Sequence, residues 1–349
     1  MSKSIKHILV IRLSAMGDVA MSVPVLSAFC KTYPEVKITV LTRGFFKPFF
    51  RDLPNVTVYE ADVKGAHKGI LGLYKLSKEL KNLNIDAIAD LHNVLRSKIL
   101  KLFLSSKPCV QIDKGRAEKK ALVKGERFEQ LKTTHQRYVD VFEQLGFPLD
   151  ISQPEFPQKV NLSEHLKTLI GTPNKAYIGI APFAAFQGKA YDISKMKTVI
   201  SELSKSYKVL LFGGGKKEVD ILDEIAHQNE NTINLAGKLN LDQELDVISN
   251  LNCMIAMDSG NAHIAAMLGI EVITLWGVTH PFAGFYPFNQ SFDNALLADR
   301  EQFPLIPTSI YGNKQPEGYE GAINTISVES IVNKVNELSE KAPQSEASI

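Results

Sequence analysis

"MDSGNAHIAAMLG", residues 257–269, closes an apolar run at Met257 and then opens a helix-forming stretch of small residues. The run from Cys253 to Met257 reads as a buried strand, and the stretch from about 260 to 268 as a helix. Ser259 stands where an N-cap belongs. Gly260 leaves room for a ligand to approach the backbone. The free N–H groups of the first helical turn, together with the helix dipole, form an anion site suited to a phosphate. Asp258 sits at the strand's end, and His263 in the first turn can donate to a phosphate oxygen. An ordinary capped turn with a core histidine fits the same residues. The stretch alone leaves both readings open.

Working outward, short β-branched runs alternate with helical patterns along the chain. "HILVIR" (7–12), "VKITVL" (36–41), "VTVY" (56–59), "IDAIADL" (85–91) and "PCVQI" (108–112) read as strands, with helices expected over 19–33 and 70–83. The second half repeats the rhythm at 177–182, 207–213, 232–237, 253–258 and 271–277, with helices near 194–206, 216–229, 241–250 and 260–268. Such alternation requires parallel sheets covered on both faces. Prolines cluster with polar residues over 148–175, at Pro148, Pro154, Pro157 and Pro173. The expected fold is therefore α/β, two doubly wound, Rossmann-like domains facing a cleft, with ligands at the carboxyl ends of the strands. The domains are drawn as 1–158 and 159–326. A helix over 327–341, capped by Ser327, is expected to pack back on the first domain, and a polar, disordered tail to occupy 342–349.

Composition removes several classes. The 349 residues suit two domains, and a formal net charge of +2 gives no global field for nucleic acid. Cys30, Cys109 and Cys253 are scattered in apolar contexts and read as buried thiols of a reducing compartment. "HILVI" is too short for a secretory signal, and no apolar stretch reaches the roughly 20 residues of a spanning helix. The expected location is the cytoplasm.

Three more stretches carry chemistry. In "IRLSAMGDVAMSVP" (11–24) a strand exits into a loop with one glycine, and Asp18 opens the next helix. The G-x-G-x-x-G fingerprint of dinucleotide enzymes is missing there. Asp18 either complements the helix dipole or stands as a general base. "IAPFAAFQGKAY" (180–191) delivers Lys189, a natural counter-ion for a phosphate. "LLFGGGKKEVD" (210–220) leaves a strand through three glycines and reaches Glu218, which could hold a ribose. No Asp-x-Asp, no clustered His/Cys set, no G-x-S-x-G elbow and no Walker A lysine occurs. No metal and no cofactor is expected, so helix ends and cationic side chains must neutralise a phosphate.

Taken together and in this order, these segments resemble glycosyltransferase family 9, the ADP-heptose:lipopolysaccharide heptosyltransferases, over about residues 7–338. "MDSGNAHIAAMLGIEVITLWGVTHP" (257–281) is similar to the family's D-[ST]-G-x-x-H helix, strand and G-x-T-x-P turn. "RLSAMGDVAMSVPVL" (12–26) resembles its N-terminal signature, whose aspartate falls on Asp18. "DLHNVLRSKIL" (90–100) resembles a third segment, placing Asp90, His92 and Arg96-Ser97. The resemblance implies a GT-B fold and inverting, metal-independent transfer of heptose from ADP-heptose to a lipopolysaccharide inner-core acceptor. It makes Asp18 the base. Lys189, Asp258, Ser259, Gly260 and His263 then bind the donor diphosphate, and Glu218 lies near the ribose. Gly17, His92 and Arg96 fall on the acceptor side. Where relatives carry Trp-Pro after the lysine, this chain has Tyr191-Asp192, and Tyr191 is expected to keep a stacking role.

The run "KGRAEKKALVKGER" (114–127) holds six cations against two acids. It reads as a solvated face or, through Lys119 and Lys120, as a patch for the anionic acceptor and the inner-leaflet surface. Peripheral attachment to the inner face of the inner membrane is expected on the second reading. Other readings are a GT-B-like sugar-nucleotide epimerase, which needs a richer catalytic set, and a non-catalytic nucleotide-binding protein, which need not keep Asp18. An NAD-dependent oxidoreductase is disfavoured by the missing glycines.

Overall fold

The computed structural model describes residues 5–171 and 175–341. Pro173 and the tail expected over 342–349 lie outside the described residues. The chain forms two compact units. One takes the residues up to Arg116 together with Lys132–Phe156; the other takes Ala117–Leu131 and the residues from Pro157 onward.

The first unit is built on five strands among the described residues: β1 (His7–Ile11), β2 (Lys37–Thr42), β3 (Val56–Glu60), β4 (Ala87–Asp90) and β5 (Cys109–Gln111). They are all parallel, in the order β3-β2-β1-β4-β5, with Ile8 opposite Ile38 on one side and Ala87 on the other. The central strand is buried on both faces, which explains its unbroken Ile-Leu-Val-Ile run. Leading off β1 come α1 (Met16–Ala20) and α2 (Ser22–Thr32); α3 (Gly69–Lys81) and α4 (Leu95–Phe103) follow β3 and β4. Leu9 and Ile11 share a core with Leu73, Leu76 and Leu80 of α3 and Leu100 of α4. After β5 the chain enters α5 (Arg116–Val123), most of which groups with the second unit, and returns in α6 (Thr134–Gln144). That last helix packs on α2, where the Phe29 and Phe142 rings lie 5.0 Å apart.

The second unit opens with α7 (Glu164–Ile170) and β6 (Tyr177–Ala181), then α8 (Ile193–Ser206), β7 (Lys208–Leu211), α9 (Lys216–His227) and β8 (Thr232–Asn234). It continues with α10 (Leu241–Ile248), β9 (Cys253–Met257), α11 (Gly260–Met267), β10 (Glu271–Trp276), β11 (Ala295–Leu297) and α12 (Val328–Lys341). Its parallel strands run β11-β10-β9-β6-β7-β8. Ile180 pairs with Ile255 at the centre of that sheet.

Three expectations are corrected. The closing helix, expected against the first domain, groups with the second unit: Ile331 and Val335 of α12 sit in the second core and the helix packs on α8. A long amphipathic helix follows whichever apolar groove is nearest, and here that groove is its own sheet's. Cys109 is exposed, because β5 is an edge strand and its residues alternate to solvent. Cys30 and Cys253 are buried, and burial pushes their thiols up to about 11 and about 12. Finally, Ala117–Leu131, expected in the first domain, belongs with the second unit. Leu122 and Leu131 share a small core there with Ala283, Phe282 and Phe285.

Candidate functional site

Each unit carries one charged centre at the carboxyl ends of its strands. In the first, Arg12 is the residue directly after β1. Its guanidinium is buried, donates from Nη1 to the Leu91 carbonyl at 2.7 Å, and lies 2.5 Å (Nη2) from Oδ2 of Asp18. Asp18 is the third residue of α1, and its Oδ2 also accepts the Ala15 N–H at 3.2 Å. The Tyr138 hydroxyl donates to the Asp18 carbonyl at 3.2 Å, fixing that turn from α6. Among the described residues, these hydrogen-bond and ion-pair contacts of the carboxylate fall on Oδ2, and the side chain is 30% exposed. The helix-end reading of Asp18 is met through Oδ2, and the base reading is a proposal taken up below.

His92 and Asp90 flank this centre. Asp90 is fully buried; Oδ1 accepts the N–H groups of His92 (3.0 Å) and Asn93 (2.8 Å), and Oδ2 lies 2.7 Å from the Lys101 amine. It shapes the turn that presents His92. The imidazole is itself buried, 3.4 Å from the Ser14 hydroxyl through Nε2. Burial, then the nearby Arg12 and Lys114 charges, pushes His92 down to about 4, so it is neutral at pH 7. Burial and the Arg12 and Arg116 charges also lower the Lys114 amine. Gly17, inside α1, and Arg96, in the first turn of α4, are half-buried.

The second centre lies where β9 meets α11. Asp258 is buried, with Oδ2 held by the Lys189 amine at 3.1 Å and the Thr279 hydroxyl at 2.9 Å. Lys189 ends a short 3-10 turn, Gln187–Lys189, that lies tight on the Gly277-Val278 corner. The Val278 N–H donates to the Gly188 carbonyl at 2.9 Å, and a Cβ on Gly277 would stand 2.3 Å from that oxygen. Gly312, at φ +77°, lies against the Lys189 stem. Ser259 is the N-cap residue of α11 with extended backbone, but its hydroxyl is buried and makes no cap bond. The first-turn N–H groups are therefore not capped by their own serine. Gly260 is half-buried at the helix start, and His263 is buried in the first turn. Glu218, in the first turn of α9, accepts the Gly214 N–H at 2.8 Å and so braces the glycine loop.

Two further assignments change. Tyr191 is buried and its hydroxyl donates to the Ile326 carbonyl at 2.8 Å, so its ring belongs to the core and is withdrawn from any stacking role. Asp192 accounts for the departure from Trp-Pro: its carboxylate caps α8 by accepting the Ser194 and Lys195 N–H groups. Lys119 is not part of a solvated patch. It is buried within the second unit, with its amine 3.9 Å from the centre of the Phe285 ring. Lys120 is exposed, whereas Lys124 pairs with Glu126 and Arg127 with Glu129. Sequence reasoning missed Arg12 and Thr279. Arg12 had a signal, a cation directly after a buried strand; Thr279 had only its place in the G-x-T-x-P turn.

Among the described residues, no three His, Cys, Asp or Glu side chains gather as a metal site would need. Two Rossmann-like parallel sheets make up the architecture known as GT-B. The comparisons agree. The profile of glycosyltransferase family 9 (heptosyltransferase) matches residues 73–305, more than half of the chain. A curated relative, the lipopolysaccharide core heptosyltransferase OpsX of Haemophilus influenzae, is 26% identical over 304 residues, covering 85% of each chain. The crystal structure of a family 9 glycosyl transferase from Veillonella parvula superposes with a TM-score of 0.76 at 20% identity, covering 98% of this chain and 99% of that one. Heptosyltransferase WaaC of E. coli, solved with ADP, gives 0.67 at 17% identity, covering 95% and 99%. This chain belongs to glycosyltransferase family 9 and is a glycosyltransferase.

Proposed function

We propose that the chain moves heptose from ADP-heptose to the inner core of lipopolysaccharide, with inversion at the anomeric carbon and without a metal. The observation that carries this reading is the paired design of the second centre. A lysine amine is anchored by a buried carboxylate beside a helix start whose serine leaves the N–H groups uncapped. Uncapped amides and an ammonium are what a diphosphate leaving group needs. The relative solved with ADP and the core heptosyltransferase among the curated relatives support the donor and the acceptor class.

In this mechanism Oδ1 of Asp18 takes the proton from the acceptor hydroxyl as its oxygen attacks the anomeric carbon. The bond from that carbon to the diphosphate breaks, and ADP leaves with the electron pair. Lys189 and the first turn of α11, with Ser259, Gly260 and His263, stabilise the charge that develops on it. Asp258 and Thr279 orient Lys189. Glu218 is placed near the ribose. Gly17, neutral His92, Arg96 and Lys120 are proposed on the acceptor side, and an anionic lipid surface as the place where that acceptor is met.

A thermal-shift panel without magnesium tests the donor. ADP and ADP-heptose raise the melting temperature, and UDP and NAD do so far less. At 100 times the dissociation constant the stabilisation is about 2.7 kcal/mol. Preferential stabilisation by UDP-sugars or by NAD defeats the assignment.

A further inference from the structure

The four most exposed large apolar side chains among the described residues all lie on two neighbouring helices. Leu71 is 84% exposed, Leu95 74%, Leu102 73% and Ile70 63%. Ile70 and Leu71 open α3, and Leu95 and Leu102 lie seven residues apart, on one side of α4. The helices are packed together, with the Tyr74 and Phe103 rings meeting edge-on at 5.4 Å. Their other sides are already used: Leu73, Leu76, Leu80 and Leu100 fill the first core. The outward residues are therefore surplus to folding. A patch of this kind marks an interaction surface.

The charge around it selects the partner. From Val63 to Lys78 the chain carries four lysines and no carboxylate. From Leu91 to Ile112 it carries one arginine and three lysines, again with no carboxylate. Lys68, Lys75 and Lys98 are exposed, and the Lys78 amine lies 4.6 Å from the centre of the Tyr74 ring. Protruding aliphatic side chains ringed by lysines match the interface of an anionic bilayer, where the apolar tips enter the acyl boundary and the amines meet headgroups. A second copy of this chain would bring the same lysines against them.

We infer that the outer face of α3 and α4 docks the enzyme on an anionic lipid bilayer. No helix among the described residues is long and apolar enough to cross a membrane, so the attachment is interfacial. This face, rather than residues 114–127, is the lipid contact. In the 114–127 run Lys124 pairs with Glu126 and Arg127 with Glu129, and Lys119 is spent on Phe285. Because α4 begins three residues after His92, a bilayer at Leu95 holds a lipid-anchored acceptor beside His92 and Arg96. The inference rests on the proposed acceptor class for its purpose, but its test does not use transfer.

The full-length chain is mixed with vesicles of phosphatidylcholine containing about 30% phosphatidylglycerol, and with pure phosphatidylcholine vesicles, both free of lipopolysaccharide. Sedimentation is expected to show binding to the anionic vesicles only. I70S/L71S/L102S is expected to lose tenfold or more in partitioning, and K75E/K98E a smaller, salt-sensitive fraction. Circular dichroism and ADP binding stay at wild-type levels, since none of these side chains supports a core. Loss of ADP binding by the wild-type chain would instead count against the donor assignment. Wild-type protein that ignores anionic vesicles, a triple variant that binds them fully, or a dimer dissolved by the triple variant overturns the inference.

Discussion

The two charged centres use the same pair of groups in opposite senses. In the first unit the cation is buried and the acid is the outward member: Arg12 is 7% exposed and Asp18 30%. In the second the acid is the anchor. Asp258 is fixed by the Thr279 hydroxyl and the Lys189 amine, while that amine has donors left over for a ligand. A buried group held by several partners is scaffold; the partner it presents is the one that works on substrate. The proposed mechanism gives base chemistry to Asp18 and anion binding to Lys189, and each role breaks differently.

The largest effect should come from the base. Asp18→Asn keeps the size, can still take the Ala15 N–H and loses proton affinity at neutral pH. Transfer should fall by roughly 10²–10⁴-fold, the usual worth of a positioned base, while ADP binding by calorimetry stays near wild type. Near-normal transfer would reduce Asp18 to a helix-end charge. Lys189→Met, which keeps the stem against Gly312, should act on the other side of the comparison. Donor affinity should weaken by about 10- to 100-fold, the worth of a hydrogen bond to a charged group. If that variant binds ADP normally, the lysine only neutralises Asp258 and the second centre is scaffold throughout.

Much of this was legible in the chain because buried parallel strands leave little ambiguity. "ILVI" (8–11) and "CMIAM" are apolar at every position, and each is followed by its polar turn at the strand's carboxyl end. Hence Asp18, Lys189 and Asp258 could be placed at strand exits from spacing alone. What could not be read was who holds whom. Arg12 reaches Asp18 over a loop, and Thr279 reaches Asp258 from the next strand's exit; both are tertiary contacts with no local period. The same limit explains Lys119, whose run looks like any solvated basic helix until Phe285 arrives from a distant turn. Ser259 shows the converse: the sequence supplied a capping residue, and the fold leaves its buried hydroxyl without a cap bond.

The smallest effect sharpens the comparison through pH, because each unit holds a buried histidine whose proton affinity is lowered beside an arginine. His92, beside Arg12, and His280, packed between Phe128 and Phe282 with Arg300 near, are both pushed down to about 4, first by burial and then by the cations. Between about pH 6.5 and 4 the unfolded chain binds protons at these positions that the folded chain refuses, so each histidine costs stability as pH falls. Glu244 works the other way. Burial raises its carboxyl to about 7, so from 7 down to about 4.5 the folded chain holds a proton that the unfolded chain lacks. Of these three groups the two histidines outweigh the glutamate by about one proton, a contribution of about 1.4 kcal/mol per pH unit between pH 6 and 5, and the carboxylates held low, Glu79 and Glu337 among them, add to the loss. Urea melts at those two pH values measure it. His280→Gln should make the slope shallower by about 1.4 kcal/mol per pH unit, and Glu244→Gln should steepen it by about as much. His92→Gln should flatten it to the same degree if the two centres bury their histidines alike. An unchanged slope in His92→Gln would mean that His92 takes up its proton in the folded chain as readily as in the unfolded one, so that the first centre does not hold its imidazole neutral.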